Sequence, residues 1–389
     1  MDKPVFLLPV NDLHAVSPCG WNRFAGASEN WITLAQVTVL WTSARLCRNC
    51  PQLCALTILR QAFRVRHMKL IYKSALLLLG AVVFFGGAGL VATWAPDRPV
   101  AELTARWAPP PSKFIEVQGL QVHVRDEGPR DTGAPGLPDS ALPIVLLHGT
   151  SASLHTWEGW ARELRNERRV VRFDLPGFAL TGPNPENDYS IAAYVKFVTA
   201  MVDTLGVQRF VLAGNSLGGQ IAWATAAALP DRVAKLILVD ASGYGVDPKN
   251  APLGFVLAGT PVVRNLMSYT LPRGIVENSV RSVYGHPEKV TPELVDLYFD
   301  MTQRAGNRRA LSRRIEQGYT GDVAQIKTIR IPTLILWGGQ DRLIPPDHGQ
   351  RFARDIAGSK LVVFDDLGHV SQEEDPMRSV AEVKRFLAN

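Results

Sequence analysis

Ser216 stands in the sequence Gly214-Asn-Ser-Leu-Gly218, which directly follows an apolar run. In such a G-x-S-x-G pattern a strand delivers the serine to a sharp turn, and the glycines leave room for a strained backbone and for close packing of the next helix. A hydroxyl exposed in this way can attack a carbonyl carbon as a nucleophile. The alternative for these five residues alone is a Gly-rich turn that only packs, because short motifs often match by chance.

A serine nucleophile needs a base to take its proton and a carboxylate to orient that base. His369 follows the last predicted strand, and Asp341 follows the strand before it in a Gly-rich turn. Serine, aspartate and histidine then occur in the chain order expected on a parallel sheet. Asp240, which ends an earlier strand, is the alternative acid. We favour Asp341 because a strand-end aspartate such as Asp240 or Asp174 commonly caps a helix or a turn.

The negative charge that develops on the attacked carbonyl needs two preorganised N–H donors. The backbone of Leu217, at the start of the next helix, is one candidate. The second is the backbone of Thr150, in a loop that follows another predicted strand. Gly149 permits the tight turn there, and we interpret His148 as a residue hydrogen-bonded within this loop rather than as a base. The sequence thus supplies every part of a nucleophilic hydrolysis site.

Short apolar segments alternate with helical segments from Pro143 to the C-terminus. Near-continuous apolar strands of this kind are typical of a parallel sheet covered by helices on both faces. Residues 114–125 alternate apolar and polar side chains around Gln118-Gly119 and predict a hairpin at the antiparallel edge of that sheet. The strands predicted after it are 144–148, 169–174, 210–213, 235–240, 333–337 and 361–364. We therefore predict an α/β fold with a mostly parallel sheet.

The stretch between about residues 242 and 328 has helical character and is interrupted by prolines. It follows the strand that ends at Asp240, so it would lie over the carboxyl ends of the strands, where ligands of open α/β sheets bind. We interpret residues 244–327 as a helical cap inserted after the sixth strand, since active-site lids are often built in this way. The alternative is a helical excursion that packs elsewhere.

Five segments together resemble the α/β-hydrolase family, across residues 112–389. They are His-Gly-Thr-Ser from 148, Asp-Leu-Pro-Gly-Phe from 174, Gly-Asn-Ser-Leu-Gly-Gly from 214, Trp-Gly-Gly-Gln-Asp from 337 and Gly-His from 368. The resemblance implies a mostly parallel eight-stranded sheet flanked by helices, formed by residues 113–243 and 328–389, with a Ser-His-Asp triad and no cofactor. Ser216 also argues against the haloalkane dehalogenase and epoxide hydrolase branches, which use an aspartate nucleophile at this position.

Three functions fit this pattern to different degrees. The leading one is a serine hydrolase that cleaves small-molecule carboxylic esters. The second is a carbon–carbon bond hydrolase of aromatic ring-cleavage products, because Asn215 and the helical cap resemble features of those enzymes. Those enzymes usually carry a Gly-rich loop where this chain has Thr150-Ser-Ala152, and a tryptophan where it has Val370. The third is a non-catalytic binding protein of the same fold, against which the intact triad argues.

The formal net charge of +6 arises entirely in the first 94 residues, which carry nine Lys or Arg and three Asp or Glu. The remaining residues balance, with 33 of each sign. Nothing in the globular part therefore indicates nucleic-acid binding. One basic cluster could contact an acidic substrate, but we favour a solvated helix face or contact with anionic lipid headgroups. The cluster consists of Arg304, Arg308, Arg309, Arg313 and Arg314.

Residues 74–94 form an uncharged run of 21 residues, which as a helix would be about 31 Å long and could cross a bilayer. Five Lys or Arg precede the run between residues 60 and 73, so the positive-inside rule places its N-terminus in the cytoplasm. We predict an uncleaved signal anchor at 68–95, a linker at 96–112 in which Ala108-Pro-Pro-Pro111 is a stiff extended spacer, and an extracytoplasmic catalytic domain, periplasmic in a bacterium. The alternatives are a cleaved signal peptide, for which a clean A-x-A site is missing, and a buried core helix.

Residues 1–67 fit neither the anchor nor the domain. Since Met68 begins a natural signal anchor, we interpret them either as a disordered cytoplasmic tail or as sequence upstream of the true start. All four cysteines lie here, three of them as Cys47-x-x-Cys50-x-x-x-Cys54. A metal site would need a fourth ligand at a suitable spacing, and only His67 is near, so we predict no metal site. The domain that follows the anchor has no cysteine and therefore no disulfide.

Overall fold

The computed structural model describes residues 51–130, 142–245, 248–250, 253–260, 269–318 and 321–388. The chain divides into two units, Met1–Gly86 and Gly87–Asn389. Cys19, Cys47 and Cys50, the side chain of Cys54 and most of the Pro/Gly-rich loop before β3 lie outside the described residues. The structure therefore leaves the interpretation of the cysteine cluster untested.

A long helix, α1 (Pro51–Ala92), contains the apolar run. It begins upstream of the predicted start at Met68, because the residues between are helix formers without a proline or glycine. Its segment Ala62–Ala92 is long and apolar enough to cross a membrane, and the side chains of that segment are not buried in the protein. The helix therefore has the length and composition of a membrane anchor, a test that a signal sequence also passes.

The second unit contains one sheet of eight strands in the order β1-β2-β4-β3-β5-β6-β7-β8. Both pairings of β2 are antiparallel, and every pairing from β4 to β8 across the sheet is parallel. The strands are β1 (Lys113–Val117), β2 (Leu120–Glu127), β3 (Ile144–Leu147), β4 (Val170–Phe173), β5 (Phe210–Asn215), β6 (Val233–Val239), β7 (Thr333–Gly338) and β8 (Lys360–Phe364). The predicted fold class and the antiparallel edge hairpin are confirmed.

The hairpin turn between β1 and β2 consists of Gln118 and Gly119, both with positive φ. Two consecutive left-handed residues make the tight turn whose twist matches that of the flanking strands, and glycine adopts it without strain. The central strands β3 to β6 are buried along their whole length. Apolar clusters lie on both faces of the sheet, which is why these strands are apolar without alternation.

Helices cover the sheet between the strands. They are α3 (Glu158–Leu164), α4 (Ile191–Thr204), α5 (Leu217–Ala228), α10 (Asp347–Asp355), α11 (Ser371–Glu374) and α12 (Pro376–Ala388). Helix α4 begins where the hydroxyl of Ser190 accepts the N–H of Ala193, a standard N-cap. Helix α5 is almost entirely buried and starts with small residues, so it packs close to the strands on either side of β5.

The chain between β6 and β7 contains four α-helices in the described residues: α6 (Leu253–Gly259), α7 (Arg273–Ser282), α8 (Pro292–Gln303) and α9 (Asn307–Gln317). The carbonyl of Val283, just after α7, accepts the N–H of His369. This insertion therefore contacts the loop that follows β8, at the carboxyl ends of the strands. That residues 244–327 act as a cap stays a prediction.

The predicted linker at 96–112 is not extended throughout, because it contains a helix, α2 (Val100–Trp107). Leu103 of α2 is fully buried beside Leu180 and Met301, and the indole N–H of Trp107 donates to Asp300 at 2.8 Å. A two-turn helix with one buried apolar residue has no clear hydrophobic periodicity. The prolines that follow α2 therefore led to the prediction of a linker.

His155 supplies a pH-dependent contribution to stability. Its Nε2–H donates to the carbonyl of Trp107, at 2.8 Å, and burial lowers its pKa to about 4. The unfolded chain takes up a proton near pH 6.5 and the folded one does not. We expect the free energy of unfolding to fall as the pH drops from 6.5 to about 4, by at most on the order of 3 kcal/mol from this group. Urea denaturation at successive pH values measures it. His155→Gln should flatten the profile, and an unchanged slope would contradict this assignment.

Candidate active site

Ser216 lies at the turn between β5 and α5. Its backbone has φ 53° and ψ −117°, a conformation that is strained for a residue with a side chain. The N–H of Ser216 donates to Val239 on the neighbouring strand, which fixes the turn. Ser216 is 7% exposed, and its side chain borders a pocket.

The glycines around Ser216 are required by close packing. A Cβ at Gly214 would lie 2.1 Å from the carbonyl oxygen of Gly218, and a Cβ at Gly218 would lie 2.2 Å from that of Leu147. A Cβ at Gly219 would meet Ala241 at 2.5 Å. Real side chains do not approach so closely, so this turn requires glycine at each position. The spacing therefore reflects a structural demand of the strand–turn–helix unit.

His369 and Asp341 are brought together at the same edge of the sheet. The Nδ1 atom of His369 lies 2.7 Å from Asp341 Oδ2, with both side chains buried. The other oxygen, Oδ1, accepts the N–H groups of Leu343 and Ile344 at 2.8 and 2.9 Å. Two backbone donors and the imidazole N–H hold both oxygens of this carboxyl group in place. Asp341 is thus held in the orientation that fixes the tautomer of His369.

The Nε2 atom of His369 is buried and, within the described part of the chain, has no hydrogen-bond partner. His369 and Ser216 border the same pocket. An imidazole that donates through Nδ1 presents a lone pair at Nε2, so this atom is available to take a proton from a neighbouring hydroxyl. Hydrogen bonds between a catalytic base and the hydroxyl that it deprotonates are often long in the absence of substrate and shorten when substrate binds.

Asp240, the alternative acid, makes different contacts. Its Oδ1 accepts the N–H of Gly338 at 2.7 Å, and its Oδ2 lies 3.1 Å from the hydroxyl of Ser371. Burial, and then the nearby charge of Asp341, raise the pKa of Asp240 well above its usual value. The two hydrogen bonds of Asp240 link β6, β7 and the turn after His369.

The loop after β3 lies against the serine. A Cβ at Gly149 would be 3.1 Å from the Cβ of Ser216, so Gly149 lies directly beside the candidate nucleophile. His148 Nε2 accepts the N–H of Leu175, and its Nδ1–H donates to the Gly149 carbonyl at 2.7 Å. In a trans peptide the carbonyl and the next N–H point in opposite directions. His148 therefore fixes the direction of the Thr150 N–H, and burial lowers its pKa so that it stays neutral.

Leu217 is the first residue of α5. Its N–H is one of the four that every α-helix leaves without an intrahelical acceptor. The positive end of the helix dipole lies here, next to Ser216. Thr150 borders the same pocket as Ser216, and Leu217 directly follows the serine, so both predicted donors belong to segments next to Ser216.

A second Ser-His-Asp arrangement lies elsewhere. His123 is 2.9 Å from the hydroxyl of Ser112 through Nε2, and 2.8 Å from Asp174 through Nδ1. Asp174 also accepts the N–H groups of Leu154 and Leu180. None of these residues is among the described residues that border the pocket, and the bonds of Asp174 hold loops together, as its strand-end position predicts.

Two acidic residues that the sequence analysis missed connect the insertion between β6 and β7 to the His369 loop. Glu373 accepts the hydroxyl of Tyr284 at 2.8 Å and that of Tyr298 at 3.1 Å, and burial raises its pKa. Glu374 accepts the N–H groups of Gly285 and Gly368, and also that of His286. In the sequence these two residues resemble a solvated acidic turn, so no local pattern identifies them.

We expect Glu374→Gln to destabilise the domain by about 2 kcal/mol, because an amide NH₂ would then face backbone donors that lose an acceptor. The turnover number should also fall, since Gly368 directly precedes the candidate base. Urea denaturation and steady-state kinetics measure the two effects. Glu116→Gln, at an exposed position of β1, is the control. Equal stability of both variants would show that Glu374 is not a structural link.

The pocket above Ser216 is mostly apolar. The volume of this cavity is about 130 Å³. Its walls come from the loops around Ser216 and His369 and from the insertion between β6 and β7. The insertion contributes mainly apolar side chains, among them Phe255, Leu271, Ile275, Val276, Val280 and Val283. Such a site suits a substrate with a hydrocarbon portion.

The predicted basic cluster does not form a single surface. Arg304 donates to the carbonyls of Thr181 and Ala305, and Arg308 is buried against Asp97 at 2.6 Å. Arg309 and Arg313 are exposed, and Arg313 pairs with Glu316. Within the described ranges, no group of three or more His, Cys, Asp or Glu could hold a metal ion.

Comparison with known proteins agrees with this architecture. Residues 143–376 match the model of the family described as alpha/beta hydrolase fold. The chain is 30% identical over 290 residues to a 2-hydroxy-6-oxo-2,4-heptadienoate hydrolase of Pseudomonas putida, across 71% of this chain and 96% of that protein. It is 25% identical over 294 residues to a 2-hydroxymuconate semialdehyde hydrolase of a Pseudomonas species, across 72% and 95%.

Solved structures are similar as well. A meta-cleavage product hydrolase of Pseudomonas fluorescens has a TM-score of 0.60 and 25% identity, over 71% of this chain and 98% of that one. A membrane phospholipase A, described as a bacterial virulence factor, has a TM-score of 0.60 and 23% identity, over 83% and 98%. The second likeness concerns the fold alone.

Proposed function

Because the chain belongs to the alpha/beta hydrolase fold family, we propose that it is a serine hydrolase that cleaves carboxylic esters through an acyl-enzyme. The observation that carries the proposal is the arrangement of Ser216, His369 and Asp341 at one edge of the sheet, beneath a mostly apolar pocket. A nucleophile, a base with a free nitrogen and an orienting carboxylate are the parts that acyl transfer requires.

In the acylation step the hydroxyl oxygen of Ser216 attacks the ester carbonyl carbon while Nε2 of His369 takes the hydroxyl proton. The imidazolium is stabilised by Asp341, and the oxyanion accepts the N–H groups of Leu217 and Thr150. The tetrahedral intermediate collapses when the carbon–oxygen bond to the alcohol breaks and His369 returns the proton to the departing oxygen. The alcohol leaves, and the acyl group stays on Ser216.

In the deacylation step a water molecule attacks the acyl carbon and His369 takes its proton. The bond to Ser216 then breaks, the serine oxygen recovers the proton, and the carboxylic acid is released. The overall reaction converts an ester and water into a carboxylic acid and an alcohol. His369 acts as base and then acid in each half, which requires a neutral imidazole at the start.

p-Nitrophenyl esters of increasing acyl length test the proposal. We expect kcat/KM to rise from acetyl to medium chains, because each additional buried CH₂ contributes about 0.8 kcal/mol, and then to level off when the pocket is filled. Loss of hydrolysis across the whole series would overturn ester cleavage as the activity.

A second candidate within the same fold is carbon–carbon bond hydrolysis of ring-cleavage products. The relatives named as 2-hydroxy-6-oxo-2,4-heptadienoate and 2-hydroxymuconate semialdehyde hydrolases favour it. Asn215 is compatible with both activities, since its amide donates to the carbonyls of Val239 and His369 and so serves the turn itself. Turnover of a ring-cleavage dienoate without ester hydrolysis would select this candidate.

We further propose that α1 is an uncleaved anchor and that the catalytic domain, with residues 244–327 as its cap, lies outside the cytoplasm. The basic residues before the apolar run and the mixed charges after it support this orientation. Protease added to intact spheroplasts that express the full chain should digest the domain. Protection of the domain until the membrane is permeabilised would refute this topology.

A further inference from the structure

Four large apolar side chains are exposed on segments that adjoin pocket-lining residues, two of them on α6 and two beside Leu271. They are Trp94, Leu253, Val256 and Tyr269, with exposed fractions of 55, 60, 49 and 57%. We call them the outer apolar surface. Single exposed apolar residues are ordinary on a protein, whereas aromatic and aliphatic residues grouped around a pocket indicate a contact surface.

Helix α6 connects this surface to the pocket. Leu253 and Val256 are exposed, while Phe255 and Ala258 of the same helix border the pocket. Substrate space and exterior are therefore separated here by one short helix. If a hydrophobic medium contacted the outer side of α6, only the width of this helix would separate the medium from the apolar interior of the pocket.

The other half of the surface follows the apolar run of α1 directly. Helix α1 ends at Ala92, and the next residues pair with the strand-like segment before α7. Leu271 donates to Thr93 and Ala95 donates to Tyr269, at 3.0 and 2.9 Å. The rings of Trp94 and Tyr269 stack with centroids 5.8 Å apart.

Ion pairs fix the segment after α1 to the cap helices. Asp97 binds Arg308 at 2.6 Å and accepts the N–H of Gly306, and Arg98 pairs with Asp300 at 3.1 Å. Arg308 also borders the pocket. The segment that follows the proposed anchor is therefore bound to a residue that forms part of the pocket wall.

We propose that the outer apolar surface docks on the lipid bilayer in which α1 is anchored, so that the pocket takes acyl esters held in the membrane. Only Thr93 separates Trp94 from the end of α1 at Ala92, which places the surface at the level where the apolar run leaves the bilayer. Trp and Tyr are enriched at that depth, because their rings are apolar and their N–H and O–H groups reach water. Leu253 and Val256 would enter the boundary between headgroups and acyl chains. The substrate part of this inference rests on the proposed ester hydrolysis, whereas the docking itself does not.

Site-specific fluorescence in vesicles tests the docking. The full chain, with its four cysteines replaced by serine, receives one cysteine as Val256→Cys or as Lys360→Cys and is labelled with a nitrobenzoxadiazole dye. Lys360 begins β8, at the sheet edge opposite to the pocket, and is exposed. In phosphatidylcholine vesicles that contain doxyl-labelled lipid, we expect at least about twofold stronger quenching at position 256 than at 360. Equal quenching at the two positions would overturn the docking.

A second copy of the chain could cover the surface instead. It would shift the dye emission at position 256 to shorter wavelength without quenching by doxyl lipid, and the shift would grow with the number of chains per vesicle. That result would also overturn the proposal.

Kinetics test the functional consequence in the same vesicles. The double variant Leu253→Asp, Val256→Asp should lose about tenfold in rate on a long-chain ester embedded in the bilayer and keep its kcat/KM on a water-soluble short-chain ester. Met377→Asp, at a position 59% exposed on α12, is the matched control and should change neither rate. Equal losses on the two esters would contradict membrane access. If no ester is cleaved at all, the proposed function fails, and the quenching measurement still decides the docking.

Discussion

Ser216→Ala should lower kcat for ester hydrolysis by about 10⁶-fold, which corresponds to about 8 kcal/mol of transition-state stabilisation. The methyl group cannot form the acyl bond, and the remaining oxyanion donors act on water attack alone. The KM should change little, because the apolar walls that bind the substrate remain. Steady-state kinetics on a medium-chain p-nitrophenyl ester measure both constants.

Ser279→Ala is the matched control for this prediction. Ser279 also borders the pocket, but its hydroxyl donates to the carbonyl of Ile275 in its own helix. This variant should keep kcat within about threefold, since the lost bond is an ordinary helix contact. Residual activity of Ser216→Ala above a few per cent of the unmodified protein, with pure enzyme, would exclude Ser216 as the nucleophile.

Asp341→Asn should lower kcat by about 10⁴-fold, and the fold should remain intact. The amide would present a donor or a neutral oxygen to Nδ1 of His369, so the imidazole would lose its tautomer and the stabilisation of its charged form. Steady-state kinetics on the same ester measure the loss, and circular dichroism checks the fold.

Asp240→Asn provides the comparison. Burial and the charge of Asp341 raise the pKa of Asp240, so replacing this carboxyl group with an uncharged amide costs less than at a carboxyl group of ordinary pKa. An asparagine oxygen can still accept the N–H of Gly338, and its NH₂ can donate to Ser371. We therefore expect a loss of no more than about tenfold. If Asp240→Asn were as damaging as Asp341→Asn, the acid of the site would be shared between the two carboxyl groups.

Much of the fold followed from sequence because its signals are local. Apolar runs ended by glycine or aspartate identify β3 to β8, and the packing of Gly214 and Gly218 shows why the pattern around Ser216 cannot vary. The parallel order of the sheet then brings the residues after β5, β7 and β8 to one edge. His369 and Asp341, 28 positions apart in the chain, meet for this reason alone.

The parts that sequence did not reveal depend on contacts between distant segments. Glu373 and Glu374 have the composition of a surface turn, and only the position of Tyr284 and Gly285 above them makes them buried links. Arg308 belongs to a run that resembles a solvated basic face, yet it pairs with Asp97, more than two hundred residues earlier. Helix α2 is a similar case, because the burial of Leu103 depends on Met301, which comes from a distant part of the chain.

Covalent labelling tests the central claim most directly. A fluorophosphonate probe should react with the full chain at one site, and mass spectrometry should locate the adduct on Ser216, in the tryptic peptide 210–232. Ser216→Ala should abolish labelling, while Ser279→Ala should retain it. An adduct on another residue such as Ser112, or labelling that persists in Ser216→Ala, would contradict the assignment of Ser216 as the nucleophile.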